Sequence, residues 1–330
     1  MQKRSGITIA GSTIVDKIYE ISDYPSLGEL TQISRITPAM GGCVANVSMD
    51  LKKICPEMDV RAFGRVGSDP EADFYIQTLT KNGIDASGVR REAGALTTCT
   101  HVMSIPGGQR TFFTYAGADA DFCAADLCIN KISSKILHLG YFLLLKKVDA
   151  GEGLEILKQA SANGIETSID LVSENANRYG IVLPCLPYTD YLIVNELESG
   201  RLAGIEPTAQ NMEAICRKLM ALGVRKKVIV HMPDRAVCLS ADGYYCIGTY
   251  ILPEGFIKGT TGAGDAFCAG ALYGIYNDWK DKEILQFANA CAAMSLRCAD
   301  ATGGLATAEE TMKFCRYFLQ RQIWSGKRRR

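Results

Sequence analysis

The segment from Gly259 to Phe267 contains residues that could transfer a phosphoryl group. Its core, Gly262-Ala263-Gly264-Asp265, runs directly into an alanine- and glycine-rich stretch of helical character. Glycines let backbone N–H groups approach an anion closely, and a helix dipole would support that contact. A carboxylate in the first turn could accept the proton of an attacking hydroxyl. Taken alone, the segment is equally consistent with a tight turn and a helix capped by Asp265.

A second group of residues is suited to a ligand rich in hydroxyl groups. Gly41 and Gly42 would expose backbone N–H groups shortly before Asn46, whose amide offers both donors and an acceptor. Asp16 could add a carboxylate that binds two hydroxyls. The alternative is structural, with Asn46 as a helix cap and Asp16 as a turn former.

Asn195 and Glu198 follow a run, Tyr191–Val194, that is typical of a buried strand. Open α/β sheets bind ligands beyond the carboxyl ends of their strands, and Mg²⁺ prefers oxygen ligands. The pair could hold Mg²⁺ beside a nucleotide phosphate, or it could begin a solvated helix. Two other phosphate sites are excluded, because the chain has no G-x-x-x-x-G-K-[ST] motif and its first strand is not followed by G-x-G-x-x-G.

The elements that must position these residues alternate between strands and helices. Runs such as Ile7–Gly11 predict buried strands, and apolar spacing after Gly42 predicts an amphipathic helix. The expected fold is therefore a three-layer α/β/α domain with a mostly parallel central sheet. Two β-rich stretches, at about 15–40 and 96–117, predict a small β-sheet lid within a single domain spanning residues 1–330. Residues 322–330 are predicted to form a basic, solvated tail.

The composition limits the classes of function. Lys+Arg and Asp+Glu both total 36, so no global field favours nucleic acid or an anionic membrane. None of the 13 cysteines is spaced as C-x-x-C and the three histidines lie far apart, which argues against zinc and against a disulfide framework. The longest apolar run is far shorter than the roughly 20 residues that span a bilayer, and no secretion signal is indicated. We expect a cytoplasmic enzyme with neither nucleic acid nor membrane as a partner.

Taken in order, the motifs resemble the ribokinase-like (PfkB) carbohydrate kinase family. Gly41-Gly42-x-x-Ala45-Asn46 is similar to the family's N-terminal signature, and Thr260 to Phe267 is similar to its C-terminal signature. The resemblance implies an ATP-dependent sugar kinase with a ribokinase-like fold, ATP and Mg²⁺ as cofactors, a small-molecule sugar as substrate, and a lid that often mediates homodimerisation. It implies the following roles: Asp265 as base; Gly262, Ala263 and Gly264 as anion hole; Asp16, Gly41, Gly42 and Asn46 as sugar ligands; Asn195, Thr261, Gly264 and Asn289 on the nucleotide side; and Glu198 at Mg²⁺.

The predicted lid hairpin adds Arg110 and Tyr115 as candidate substrate residues, although strand alternation does not say which face is inward. Gly259 stands where the family usually has the aspartate of its monovalent-cation site, so dependence on K⁺ stays open. The family's glycine-rich turn before the nucleotide site is replaced by residues 231–235. Two alternatives also stay open: a nucleoside kinase, which aromatic lid residues would suit, and a non-catalytic sugar or nucleotide sensor.

Overall fold

Two separate sheets form the framework of the computed structural model, which describes residues 4–323. The larger sheet has nine strands in the order β13-β12-β11-β10-β9-β8-β1-β4-β5, and the smaller has four in the order β3-β2-β6-β7. In chain order the strands are β1 (Ile7–Gly11), β2 (Ile14–Ile21), β3 (Ile33–Gly41), β4 (Val60–Val66), β5 (Asp85–Arg91), β6 (Cys99–Ser104), β7 (Arg110–Tyr115), β8 (Ile136–Phe142), β9 (Glu166–Leu171), β10 (Tyr191–Asn195), β11 (Lys227–His231), β12 (Arg235–Ser240) and β13 (Gly243–Gly248).

The large sheet is parallel from β5 through to β11, and β12 and β13 add an antiparallel hairpin at one edge. Strands such as β1 and β10 are continuous apolar runs with almost every residue buried. This is the pattern of parallel strands covered on both faces, because each face must pack against helices. The carboxyl ends of β8 to β11 therefore meet at one edge of the sheet.

The helices cover both faces of this sheet. One apolar core joins one face to α1, α2, α6 and α7, and a second core joins the other face to α3, α4 and α5. Neighbouring residues of β10 alternate between the two cores, Ile193 in the first and Val194 in the second. The α-helices are α1 (Gly42–Ile54), α2 (Pro70–Lys81), α3 (Gly153–Ala162), α4 (Glu196–Ala203), α5 (Met212–Ala221), α6 (Ala263–Tyr276), α7 (Asp281–Ser295) and α8 (Ala308–Tyr317). The α/β architecture expected from the sequence, with its mostly parallel sheet, is confirmed.

The small sheet corresponds to the two β-rich stretches predicted as a lid. Strand β2 pairs antiparallel with β3 and parallel with β6, and β6 and β7 form an antiparallel hairpin. All six residues of β7 are exposed to solvent. Strand β7 is therefore the exposed edge of the small sheet, whereas Val15 of β2 and Met40 of β3 pack into the first apolar core.

Several local expectations differ from the structure. Strand β5 was missed because its sequence, DASGVRR, is too polar for the apolar pattern of a strand. Helix α6 begins at Ala263, two residues before Asp265. No helix between residues 4 and 323 is long and apolar enough to cross a membrane. The end of the predicted basic tail, residues 324–330, lies outside the described residues.

Candidate active site

The first turn of α6 is shaped by a glycine that no other residue could easily replace. Gly262 is the N-cap, with φ of +79°, and a Cβ placed on it would lie 2.3 Å from the carbonyl oxygen of Ala301. Ala263 and Gly264 then form the first helical positions. The first N–H groups of a helix have no intrahelical acceptor, so this turn can offer donors and a positive dipole end to an anion.

Asp265 is the third residue of α6, and its carboxylate is directed into the protein. Its side chain is 7% exposed, accepts a hydrogen bond from Asn46 Nδ2 at 2.9 Å, and lies 3.1 Å from the hydroxyl of Tyr141 through both oxygens. The N-cap of α6 is Gly262, so Asp265 is not the cap that the alternative interpretation required. Burial, followed by the nearby charge of Asp170, raises the pKa of Asp265 to about 6.

Tyr141 was not found from the sequence. It lies near the end of β8 in the left-handed region, with φ of +63°, where the register between β8 and β9 shifts. Its backbone N–H donates to Asp170 Oδ1 at 2.6 Å. A non-glycine residue with positive φ is uncommon, and the irregularity turns this side chain toward Asp265. The sequence signal was weak, a glycine-tyrosine pair within an apolar run.

The residues predicted to hold hydroxyl groups lie together around the start of α1. A Cβ on Gly42 would meet the carbonyl oxygen of Ser12 at 2.4 Å, and one on Gly41 would meet the carboxylate of Asp16 at 2.8 Å. Burial raises the pKa of Asp16 to about 6. Asn46 donates to Asp265, while its own Oδ1 is buried without a hydrogen-bond partner. That oxygen is a free acceptor beside the carboxylate of Asp265.

Asn195 and Glu198 form a reciprocal cap at the start of α4. Asn195 Oδ1 accepts from the backbone N–H of Glu198 at 2.9 Å, and Glu198 Oε2 accepts from that of Asn195 at 3.0 Å. Glu198 Oε1 also accepts from Ser173 Oγ and from Asn195 Nδ2, both at 2.8 Å. Burial raises the pKa of Glu198 to about 7. With three donors already bound, this carboxylate has room for about one more.

Two neighbouring cavities meet at the start of α6. The first, of about 290 Å³, is lined by Asp265, Asp170, Glu198 and the glycine-rich first turn of α6. The second, of about 510 Å³, is largely apolar and includes Asn289, which donates to the carbonyl oxygen of Gly248 at 3.3 Å. The residues that line both cavities are Asn195, His231, Thr260, Ala263 and Gly264. The shared wall is therefore the predicted phosphate-binding turn.

Strand pairing determines the faces of the lid. Residues directly opposite one another in a sheet lie on the same face, and Asp16, Thr100 and Thr114 are opposite in β2, β6 and β7. The neighbouring pair on that face, two residues along, is Val102 with Phe112. The other face carries Cys99 opposite Tyr115 and His101 opposite Phe113. The pairing thus places Tyr115 on the face opposite to Asp16 and puts Phe112 on the same face as Asp16.

Arg110 shares the face of Phe112 and reaches the loop before α6. Its Nη1 donates to the hydroxyl of Thr261 at 3.3 Å, which joins the lid to the glycine-rich segment. Thr261 is exposed and is not among the residues that line the two cavities; its hydroxyl accepts this bond. Among residues 4–323, this polar pair links the lid to the predicted phosphate-binding segment.

The positions that depart from the family pattern, His231, Arg235 and Gly259, make specific contacts with their neighbours. The ring of His231 lies 4.9 Å from that of Phe267, and burial lowers the pKa of His231 to about 4, so its imidazole is neutral. Arg235 binds its neighbour Asp234 at 2.7 Å and begins β12. A Cβ on Gly259 would lie 3.0 Å from Cα of Ala299, so an acidic side chain there would require the backbone around residue 299 to shift.

Comparison with known proteins identifies the family. The sequence model described as pfkB family carbohydrate kinase matches residues 6–308. The chain belongs to this family. It is a phosphotransferase of the carbohydrate kinase class, within a family that includes both sugar and nucleoside kinases.

One curated relative and two solved structures are similar to this chain, the structures in fold. A 5-dehydro-2-deoxygluconokinase of Geobacillus kaustophilus is 26% identical over 300 residues, covering 83% of this chain and 84% of the relative. An Arabidopsis thaliana ribokinase, solved with ribose and ATP, shares the fold with a TM-score of 0.81 at 22% identity, covering 95% of this chain and 99% of the other. A Methanocaldococcus jannaschii nucleoside kinase shares it at 0.78 and 19% identity, covering 95% and 99%.

Proposed function

We propose that this kinase transfers the γ-phosphate of ATP to a hydroxymethyl group of a sugar, with Asp265 as the general base. The observation that carries the proposal is the buried carboxylate of Asp265 in the first turn of α6, beside the glycine-rich anion-binding turn. In this position a carboxylate can accept a proton while the neighbouring N–H groups bind the phosphoryl group.

In the proposed reaction, the sugar hydroxyl gives its proton to Asp265 as its oxygen attacks the γ-phosphorus. A new O–P bond forms, the bond from the γ-phosphorus to the bridging oxygen breaks, and ADP leaves. The donors of Gly262, Ala263 and Gly264 stabilise the charge on the transferred group. Because the pKa of Asp265 is about 6, the carboxylate is ionised at neutral pH and still basic enough to take the proton.

The two cavities support an arrangement for the nucleotide. The apolar cavity with Asn289 suits an adenine ring, and the shared wall with Asn195 and Gly264 suits its phosphates. Mg²⁺ fits beside Glu198 through its water shell, because the carboxylate has one free acceptor position. When bound, Mg²⁺ would neutralise charge on the phosphate oxygens. We assign Thr261 a supporting role, because its hydroxyl accepts the hydrogen bond from Arg110 of the lid.

On the acceptor side we propose Asp16, Asn46 and the backbone of Gly41 and Gly42 as ligands for sugar hydroxyls. The free Oδ1 of Asn46 supports this assignment, because a hydroxyl donor would satisfy a buried acceptor directly beside the base. Arg110 completes the acceptor side from the lid.

A second candidate function is nucleoside phosphorylation. Phe112 lies on the same lid face as Asp16 and is 60% exposed, so it could stack on a base. The shared fold with a nucleoside kinase is consistent with this alternative. Phe113 and Tyr115 support the nucleoside alternative less well, because they lie on the other face of the lid.

One assay distinguishes these functions. We would measure ATP consumption with a panel of sugars, sugar acids, polyols and nucleosides, in Mg²⁺, with and without K⁺. We expect turnover on a sugar or sugar acid, and the variant Asp265→Asn should bind that acceptor while losing at least about 100-fold in kcat. Turnover on adenosine or inosine alone would assign the nucleoside function. Tight binding of a ligand with no turnover, or near-normal kcat in Asp265→Asn, would refute the proposal.

A further inference from the structure

Three side chains of types that can bind a metal ion lie close together near the proposed base. His138 comes from β8, Asp170 from β9 and Cys268 from α6, one turn after Asp265. Their ligand atoms lie within 4.8 Å of one another, and all three side chains are buried. His138 and Cys268 take no part in the proposed phosphoryl transfer, and Asp170 affects it only through its charge near Asp265.

Two of the three separations match those of a tetrahedral zinc site. His138 Nε2 lies 3.6 Å from Cys268 Sγ and 3.4 Å from Asp170 Oδ2. Zinc bonds of about 2.0–2.1 Å to nitrogen, 2.3 Å to sulfur and 2.0–2.2 Å to oxygen, at a tetrahedral angle, place nitrogen about 3.6 Å from sulfur and about 3.4 Å from oxygen. An ion could therefore join His138 to either partner with little movement of the side chains, and all three ligand atoms lie within 4.8 Å of one another.

Surrounding hydrogen bonds hold two of the ligands in a suitable orientation. His138 Nδ1 is paired with Ser168 Oγ at 3.0 Å, which leaves Nε2 toward Cys268 and Asp170. Asp170 Oδ1 is occupied by the backbone N–H of Tyr141, which leaves Oδ2 available. Partners of this kind fix ring orientation and carboxylate position in metal sites.

The cluster also has an access path and an open position. Asp170 and Cys268 line the cavity of about 290 Å³ that contains Asp265, whereas His138 lies behind them with no exposed surface. An ion could enter through this cavity and keep its fourth coordination position toward it. Three protein ligands with an open position are the arrangement of accessible zinc sites, as distinct from closed structural ones.

We propose that His138 Nε2, Asp170 Oδ2 and Cys268 Sγ form a binding site for one thiophilic divalent cation, of which Zn²⁺ fits best. On binding, the Cys268 thiol loses its proton to solvent, a sulfur–metal bond forms, and His138 contributes a neutral nitrogen. Mg²⁺ does not compete, because it prefers six oxygen ligands and does not favour thiolate.

The location gives the site an effect on catalysis. A bound cation would neutralise Asp170, whose charge helps to raise the basicity of Asp265, and would occupy part of the cavity beside that residue. Zn²⁺ should therefore inhibit phosphoryl transfer at saturating Mg²⁺. This effect depends on the proposed function, whereas binding of the ion does not.

The direct test uses the full chain, freed of metal and titrated with Zn²⁺ by calorimetry and with Co²⁺ by absorption spectroscopy. We expect one ion per chain and, for Co²⁺, a near-ultraviolet thiolate charge-transfer band with the visible bands of a tetrahedral ion. Cys268→Ala should abolish the charge-transfer band and weaken Zn²⁺ binding by more than about 100-fold, because losing an outer partner alone costs 10–100-fold.

Matched controls locate the ion. Cys216→Ala removes an equally buried thiol on α5, and Cys128→Ser removes an exposed one; both should retain the band and the affinity. Ser168→Ala should weaken Zn²⁺ binding by roughly 10–100-fold. A weak octahedral Co²⁺ spectrum in the unmodified protein overturns the proposal, even if the Cys268 variant fails to fold. Loss of the band in Cys128→Ser, with retention in Cys268→Ala, overturns it as well.

Discussion

At the scale of single residues, the chemistry depends on how Asp265 is held. Its carboxylate is anchored by an amide from α1 and a hydroxyl from β8, so three separate elements position the proposed base. Neither partner can take the proton away at neutral pH, because an amide does not titrate and burial raises the pKa of Tyr141 well above its usual value. Both hydrogen bonds stabilise the ionised carboxylate and oppose the effect of burial on its pKa.

The first prediction concerns Tyr141→Phe. Removing the hydroxyl removes a donor that lowers the pKa of Asp265, so this pKa should rise and the acid limb of kcat/KM should move to higher pH. We expect kcat at pH 7 to fall several-fold, with a smaller change in the KM for ATP. The measurement is a pH profile of kcat/KM. Tyr75→Phe is the matched control, because its hydroxyl is buried without a partner; an unchanged acid limb in Tyr141→Phe would contradict the assignment.

The second prediction concerns pH. The proposed base works only when ionised, so kcat/KM should fall about tenfold per unit below a pKa of about 6 and level off above it. Glu198 also titrates in this region, with a pKa of about 7, so its contribution must be separated. We would measure the profile from about pH 5 to 8 for the unmodified enzyme and for Glu198→Gln. The limb near 6 should persist in the variant; its disappearance would assign the limb to Glu198.

At the scale of elements, the proposed anion site depends on the approach of the α6 N-terminus to the loop around residue 301. Gly262 makes this approach possible through both its positive φ and its missing side chain. The lid also depends on how its elements meet. The register of β2, β6 and β7 determines which side chains lie on the same face as Asp16.

The third prediction is that Gly262→Ala will impair nucleotide use. The new Cβ would lie 2.3 Å from a backbone oxygen, so the first turn of α6 must shift. A displacement of about 1 Å can cost about 100-fold in rate, so we expect at least a tenfold loss in kcat/KM for ATP. Gly164→Ala is the control. Gly164 has φ of +68° but no atom within 4 Å of an added Cβ, so this change introduces an unfavourable backbone conformation without a steric clash. Equal activity in the two variants would rule out a role for close packing at Gly262.

The sequence was most informative where residues adjacent in the chain also lie together in the candidate site. The signatures around Gly42 and Asp265 place a glycine turn directly before a helix, and both helices begin where those signatures predict, to within two residues. Tyr141 could not be predicted in the same way, because its role arises from a register shift between β8 and β9. The orientation of Tyr115 likewise required the pairing of β6 with β7, which alternation within one strand cannot supply.

At the scale of the whole molecule, the two faces of the lid carry different side chains. The face that carries Asp16 and Phe112 is assigned to the acceptor, whereas the opposite face exposes Ile36, Phe113 and Tyr115. Side chains of this size on one exposed face favour contact with another surface. We propose that a second copy of the chain covers them.

The fourth prediction separates these roles with two neighbouring residues. Phe113→Glu places a charge on the outer face and should convert a dimer into a monomer, measured by sedimentation velocity. Phe112→Ala should leave the assembly unchanged and raise the KM of the acceptor several-fold, since it shortens a side chain on the other face. A monomeric unmodified protein, or equal effects of the two changes on assembly, would refute this division of the lid.

The hydrogen bond from Arg110 to Thr261 bears on how much ATP the enzyme hydrolyses when no acceptor is bound. Water is far more concentrated than any sugar, so a kinase whose active site was equally competent with and without an acceptor would hydrolyse ATP. Because this contact links the lid to the segment that precedes the turn, acceptor binding and the arrangement of the turn can be coupled. We expect the enzyme to spare ATP when no acceptor is present and to lose part of that restraint when Arg110 is replaced by alanine.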